Sequence, residues 1–136
     1  MISSLKYLTT VPKIVAQAQA LICFTTLPSR ILNYVEFELQ SFGPSIMRLK
    51  SIKTKKFLAI NSEGLLHTRM DESKDCLFYQ YHEKNLFVSF ASFKYYMKEH
   101  YDMFLGIKRN GKVKVPSSTL PGQDSVQFMV LNVDSL

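Results

Sequence analysis

Lys108, Arg109, Lys112 and Lys114 place four cations within seven residues, and no acid stands between Asp102 and Asp124. Charges this close and this poorly compensated suit a multiply charged anion. A basic hairpin kept only for solubility gives the same pattern. A second basic group holds Arg48, Lys50, Lys53, Lys55 and Lys56. Arg48 and Lys50 alternate with Met47 and Leu49, as on a half-exposed strand, so this group reads mainly as a solvated face. The acids Asp71, Glu72 and Asp75 read as a solvated turn before Cys76. Nothing arranges the other reactive side chains for catalysis. His67, His82 and His100 stand apart, and the chain holds no HExxH, no GxSxG and no Gly-rich phosphate loop. Cys23 and Cys76 are too few for a disulfide framework and fit no zinc spacing. Cys76 is expected to be a buried free thiol. No enzymatic activity, catalytic residue, metal or cofactor is therefore expected.

The elements that must carry the basic tract are visible in a repeat. "FLAINSEGLLHT" begins at Phe57 and "FLGIKRNGKVKV" at Phe104. Phe57 and Phe104 are 47 positions apart, and so are Gly64 and Gly111. Each copy reads as four strand residues, a polar turn ending in glycine, and an alternating return strand. That is a β-hairpin whose glycine supplies φ > 0. A strand with a central phenylalanine follows each hairpin, "DCLFYQYH" at 75–82 and "DSVQFMVL" at 124–131. An earlier version, "YVEFELQ" at 34–40, is centred on Phe37. Phe37, Phe78 and Phe128 then mark three units, and three units of short strands with hairpins predict an all-β chain folded as a β-trefoil. A two-layer sandwich with chance similarities is the competing architecture.

The length of 136 residues suits one domain, and 46% hydrophobic with 21% charged residues is a globular composition. The net charge of +6 favours acidic partners. Residues 1–33 contain no glycine, so no first hairpin can be placed there. "PKIVAQAQALICF" has Ala and Gln of good helix propensity, which predicts a helical or irregular segment. The expected organisation is a divergent segment over 1–33 and a trefoil domain over 34–136, with the first lobe incomplete or replaced. A missing hairpin would leave part of the barrel floor uncovered. Lys13, Gln17 and Gln19 interrupt any leader-like apolar stretch, and no run approaches the roughly 18 apolar residues of a membrane span.

"SIMRLKSIKTKKFLAINSEGLLHTRMDESKDCLF" at 45–78 and "MFLGIKRNGKVKVPSSTLPGQDSVQF" at 103–128 resemble the middle and final thirds of a fibroblast growth factor. Leu58, Ala59, Gly64, Leu65, Cys76 and Phe78 fill the first half of the family pattern. Phe104, Leu105, Gly106, Gly111, Thr119, Gly122 and Gln123 carry the second. The likeness covers about residues 35–136 and is greatest to the acidic and basic members. It implies a secreted growth factor that binds heparan sulfate and a receptor tyrosine kinase and stimulates proliferation or differentiation. Some members are secreted without a conventional leader; a cytoplasmic or nuclear location is the alternative. A truncated, non-signalling isoform or an intracellular binding protein is the alternative function.

Carried over by resemblance, the heparin-binding residues are Lys108, Arg109, Asn110, Lys114 and Gln123. Ser118 and Asp124 stand where the family is usually basic, which implies weakened glycan binding. The receptor-binding residues are Glu83, Phe87, Met129 and Leu131. Core packing competes with that role for the last three. Leu86 replaces a polar neighbour, and the family's first-repeat receptor contacts have no match. The loop 92–102, with Tyr95, Tyr96 and Tyr101, reads as a rim loop or a plain surface loop. Nucleic acid is not expected as a partner, because the aromatics occupy strand-core positions and do not interleave with the cations.

Overall fold

The computed structural model describes residues 16–25, 32–96, 102–108 and 110–132. Arg109, Tyr101 and residues 1–15 lie outside the described residues, as does the side chain of Cys23. Eight strands are described: β1 (Ala16–Thr25), β2 (Leu32–Gly43), β3 (Ile46–Ser51), β4 (Phe57–Ile60), β5 (Leu66–Arg69), β6 (Leu77–His82), β7 (Val88–Ser92) and β8 (Met129–Asn132).

Six of them close a ring. β1 pairs antiparallel with β2, β2 with β3, β3 with β6, and β6 with β7. Val88 and Phe128 then exchange two backbone hydrogen bonds, of 2.7 and 2.8 Å, which join β7 to the start of β8. β8 pairs with β1 from Ala20↔Asn132 to Cys23↔Met129 and completes the circuit. A closed ring leaves no strand edge with unpaired backbone groups.

The interior is filled in threes. Ile22, Leu49 and Phe90 come from β1, β3 and β7; Phe37, Phe78 and Phe128 come from the strand that ends each repeat. All six are buried in one cluster, so the three aromatics that marked the repeats in the sequence meet in space. Burying one such side chain stabilises by roughly 1.5–3 kcal/mol. Two hairpins sit on the ring. The first is β4–β5, and the second is a shorter one held by the Ile107↔Val113 bridge. Cys76 packs beneath the first hairpin with Phe57 and Ala59. Val126, two residues before Phe128 as Cys76 is before Phe78, packs beneath the second with Phe104 and Ala91. This is a β-trefoil.

The first repeat departs from the other two, and from one expectation. Ala16–Thr25 is a strand, neither helical nor irregular. "AQAQALICFT" alternates small or apolar with polar residues at its start, and β2 and β8 satisfy its backbone groups from both sides. That gain outweighs a helix propensity of roughly tenths of a kcal/mol per residue. The first repeat does lack its hairpin: only residues 26–31 separate β1 from β2, whereas 52–76 separate β3 from β6. Val35, the counterpart of Cys76 and Val126, has no hairpin over it and is 39% exposed.

Arg48 also departs from the sequence reading. It is buried on the outer side of β3, not on a solvated face. Its guanidinium lies 4.7 Å from the Phe42 ring centre and 4.5 Å from that of Phe57. Nε donates to Gln40 Oε1 at 2.6 Å and Nη2 to Glu72 Oε1 at 3.3 Å. Stacking between two rings stabilises the cation while the hydrogen bonds offset its desolvation.

Gly64 and Gly111 have φ of +76° and +84°, as the repeated turns required. Gly122 shares that conformation at +81°. A Cβ on Gly64 would sit 2.6 Å from Ser117 Cβ, whereas one on Gly122 meets open space. Gly122→Ala is therefore expected to cost about 1 kcal/mol in denaturant unfolding, from conformation alone. Gly64→Ala should cost about 1–2 kcal/mol more, because Ser117 must shift; equal losses would contradict this packing.

Candidate functional site

The basic turn is built by its backbone. Lys108 N donates to Lys112 O at 2.8 Å and Gly111 N to Lys108 O at 2.8 Å. The Asn110 side chain closes the turn, its Oδ1 accepting from Lys112 N at 3.0 Å. Asn61 does the same in the first hairpin, accepting from Glu63 N and Leu65 N. An Asx side chain holding its own turn is the local reason such residues recur there.

Lys108 and Lys112 are exposed, and Lys114 is half-buried. Lys114 Nζ donates to Gln123 Oε1 at 2.7 Å, and the same oxygen accepts from Leu120 N at 3.1 Å. The structure thus brings the hairpin strand and the 119–123 loop together, with Gln123 as the link. Thr119 anchors that loop. Phe104 N donates to its hydroxyl at 3.0 Å, and the hydroxyl has the carbonyls of Pro116 and Asp102 within 2.7 and 2.8 Å. Lys108, Asn110, Lys114 and Gln123 therefore share one hairpin and its flanking loop. Asp124 is exposed beside Gln123 and lowers the positive charge there.

A second cluster lies on the outer wall near the β7–β8 junction. Phe128 is buried and Val130 packs on the core, so Met129 and Leu131 point the other way, outward and half-exposed. The antiparallel Val88↔Phe128 pair sets Phe87 opposite Met129 on that outer face. Glu83 joins them: its N–H donates to Phe87 O at 2.7 Å, and its carboxylate accepts from Ser89 Oγ at 2.7 Å. Phe87, Met129 and Leu131 are consequently not core residues, although alternation in a strand had left that open.

Leu86 is the residue that sequence reasoning undervalued. It is 90% exposed with φ +67°, in the turn that leads to Phe87. A branched apolar side chain held in the left-handed region, in water, is doubly unfavourable. The resemblance had placed Leu86 at a usually polar position, but its left-handed backbone was not legible, because no neighbour in the sequence signals it.

Several other acids and aromatics make structural contacts. Arg69 pairs in two places with Asp71, at 3.3 and 2.9 Å, and holds that carboxyl below its ordinary range. Asp75 lies 3.4 Å from Lys94 Nζ and accepts from the Tyr95 hydroxyl at 3.3 Å. In the 92–102 loop, Tyr95 belongs to the core and Tyr96 packs edge-on against Tyr81 and Phe104. Cys76 is a free thiol, and burial pushes its pKa up, which disfavours the reactive thiolate. Among the described residues no group of His, Cys, Asp and Glu is placed to hold a metal, and no helix is long and apolar enough to cross a membrane.

The described residues thus form a closed trefoil barrel with a basic turn on one hairpin and an apolar, acid-edged stripe on its wall. The family model described as fibroblast growth factor matches residues 28–129. Fibroblast growth factor 1 of Cynops pyrrhogaster is 33% identical over 100 residues, 74% of this chain and 66% of that protein. Fibroblast growth factor 1 of Notophthalmus viridescens is 32% identical over 102 residues, 75% of each chain. Fibroblast growth factor 2 of Xenopus laevis is 26% identical over 103 residues, 76% of this chain and 63% of that protein. The chain spans between 63% and 75% of the length of these relatives. It belongs to the fibroblast growth factor family.

Two stability outcomes follow from the site's construction. Thr119→Val should cost about 1–3 kcal/mol, since the buried Phe104 N–H loses its acceptor. Leu86→Asn should leave stability unchanged or raise it by up to about 1 kcal/mol, because Asn tolerates the left-handed region. Thermal unfolding of both variants checks these outcomes; a stabilised Thr119→Val or a clearly destabilised Leu86→Asn would contradict the geometry.

Proposed function

We propose that this chain is an extracellular growth factor-like ligand, not an enzyme, that engages a receptor tyrosine kinase and heparan sulfate through two separate surfaces. Its recognition domain is the barrel from β1 to β8, which reaches upstream of the 34–136 boundary expected from the sequence. Glu83, Phe87, Met129 and Leu131 make the receptor surface, enlarged by Leu86. Lys108, Arg109, Asn110, Lys114 and Gln123 make the glycan surface.

The observation that carries this reading is the outward register of Met129 and Leu131 beside Phe87. An apolar stripe kept off the core and edged by a carboxylate suits a protein partner. The glycan half rests on charge: sulfate groups attract the lysines, and a guanidinium can bind sulfate through two hydrogen bonds. Asp124 and Ser118 place an acid and a neutral residue at its border, which supports affinity below that of a more basic site.

A second reading is favoured by one feature, the loss of the first-repeat hairpin. A ligand without that part of the footprint would bind and not signal. Receptor phosphorylation in responsive cells separates the two readings: a rise in phosphorylation supports the signalling ligand, and inhibition of a co-applied active family member supports the competitor.

The glycan surface has its own test. Replacing Lys108, Arg109 and Lys114 by Ala should shift heparin elution to clearly lower salt. The same change at Lys53, Lys55 and Lys56 removes equal charge and should shift it less. Equal shifts would mean that net charge alone governs retention and that the assigned surface is wrong.

A further inference from the structure

The missing first-repeat hairpin leaves a mark on the barrel floor. Each of the two hairpins lines the floor with an aliphatic pair, Leu58 with Leu66 and, at the same offset of 47 positions, Leu105 with Val113; Ile107 lines it as well. On the first-repeat side the described residues of the wall are Ile22 and Val35 of the barrel strands, with no such pair among them. Between these walls lies a cavity of about 190 Å³, backed by Leu49 and Phe90. Its surface is almost wholly hydrocarbon. Val35 and Val113, at 39% and 52% exposure, stand at its mouth.

A concave space with so little polar surface cannot hold an ordered water well, since a buried water needs two to four partners. Apolar cavities of about 150 Å³ stay dry and admit benzene. The space here is somewhat larger and open at one side. A rigid ring of strands prevents it from collapsing, so the walls forgo dispersion contacts that a ligand could restore.

We infer that this floor cavity is a binding site for one small uncharged hydrocarbon group, an aromatic ring or a short alkyl chain. The occupant takes the place of the aliphatic pair that a third hairpin would have supplied. Volume and threefold equivalence limit the ligand to about that size, and the lining limits it to apolar chemistry. The site shares a hairpin with the basic turn, since Ile107 and Val113 flank its lysines, but it uses the apolar side chains of that hairpin and not the cations, so its ligand chemistry is distinct from that of the proposed glycan surface.

The test uses the full chain with isotope-labelled methyl groups and benzene as the probe. Titration should give saturable shifts at the methyls of Ile22, Val35, Leu58, Leu66, Ile107 and Val113, while Leu77 and Leu120 stay unmoved. The unfolding temperature should rise with benzene concentration, as expected when a ligand binds only the folded state. Val113→Phe places a ring in the mouth from an exposed position, and Leu66→Phe fills the space from the hairpin. Either filled variant, folded by its methyl spectrum, should lose the saturable shifts. Absence of saturable shifts in the parent chain would overturn the inference, because the cavity is then closed or filled by the chain's own residues. Shifts spread over the surface, or unchanged in both folded variants, would overturn it as well.

Discussion

The ring closes through one residue pair. Val88 and Phe128 exchange both of their backbone hydrogen bonds, and no longer ladder joins the third repeat's first strand to its last. The circuit also needs β1 to serve two neighbours, β2 along its whole length and β8 from Ala20 to Cys23. An open sheet of the same strands would expose two edges and the apolar face now lined by Phe37, Phe78, Phe90 and Phe128. Closure is what gives inside and outside their meaning. It puts Phe128 in the core and Met129 on the wall, and so decides which residues a partner can meet.

The same constraint explains how a hairpin can be lost without losing the fold. A trefoil hairpin caps the ring but is not a member of it. The first repeat keeps its two barrel strands and joins them by the short span 26–31. The consequence is local: Val35 is exposed where Cys76 and Val126 are covered, and the floor keeps a cavity on that side. Function divides along the same lines. The basic turn belongs to a cap, where charge can vary without disturbing the ring. The apolar stripe belongs to the ring itself, where register fixes each side chain's direction.

Much of this was legible in the sequence because repetition converts weak local signals into strong ones. Gly64 and Gly111 at a common offset pointed to two hairpins, and both have the positive φ that such turns need. Phe37, Phe78 and Phe128 pointed to three equivalent strands, and all three lie in one core. The likeness to the fibroblast growth factors agrees with the match over residues 28–129. What the sequence concealed depends on contacts between distant residues. β1 is rich in alanine and glutamine, and its strand form comes from its neighbours. Arg48 is buried because Phe42 and Phe57 converge on it, although its position on β3 resembles that of an exposed cation. Tyr95 sits in a loop by sequence and in the core by packing. Leu86 is exposed through a backbone conformation that its residue type disfavours.

A strand from residues 16–25 completes the six-stranded ring although the first repeat has no hairpin between its two barrel strands. Cross-strand nuclear Overhauser effects around Ile22 test it most directly. Ile22 is paired with Val35 on one side and Val130 on the other. The backbone protons of Ile22 and its neighbours should show antiparallel contacts to both strands, together with slowed amide exchange at Val88 and Phe128. Contacts to the β2 side alone, or rapid exchange at Val88 and Phe128, would show an open sheet and contradict the closed barrel.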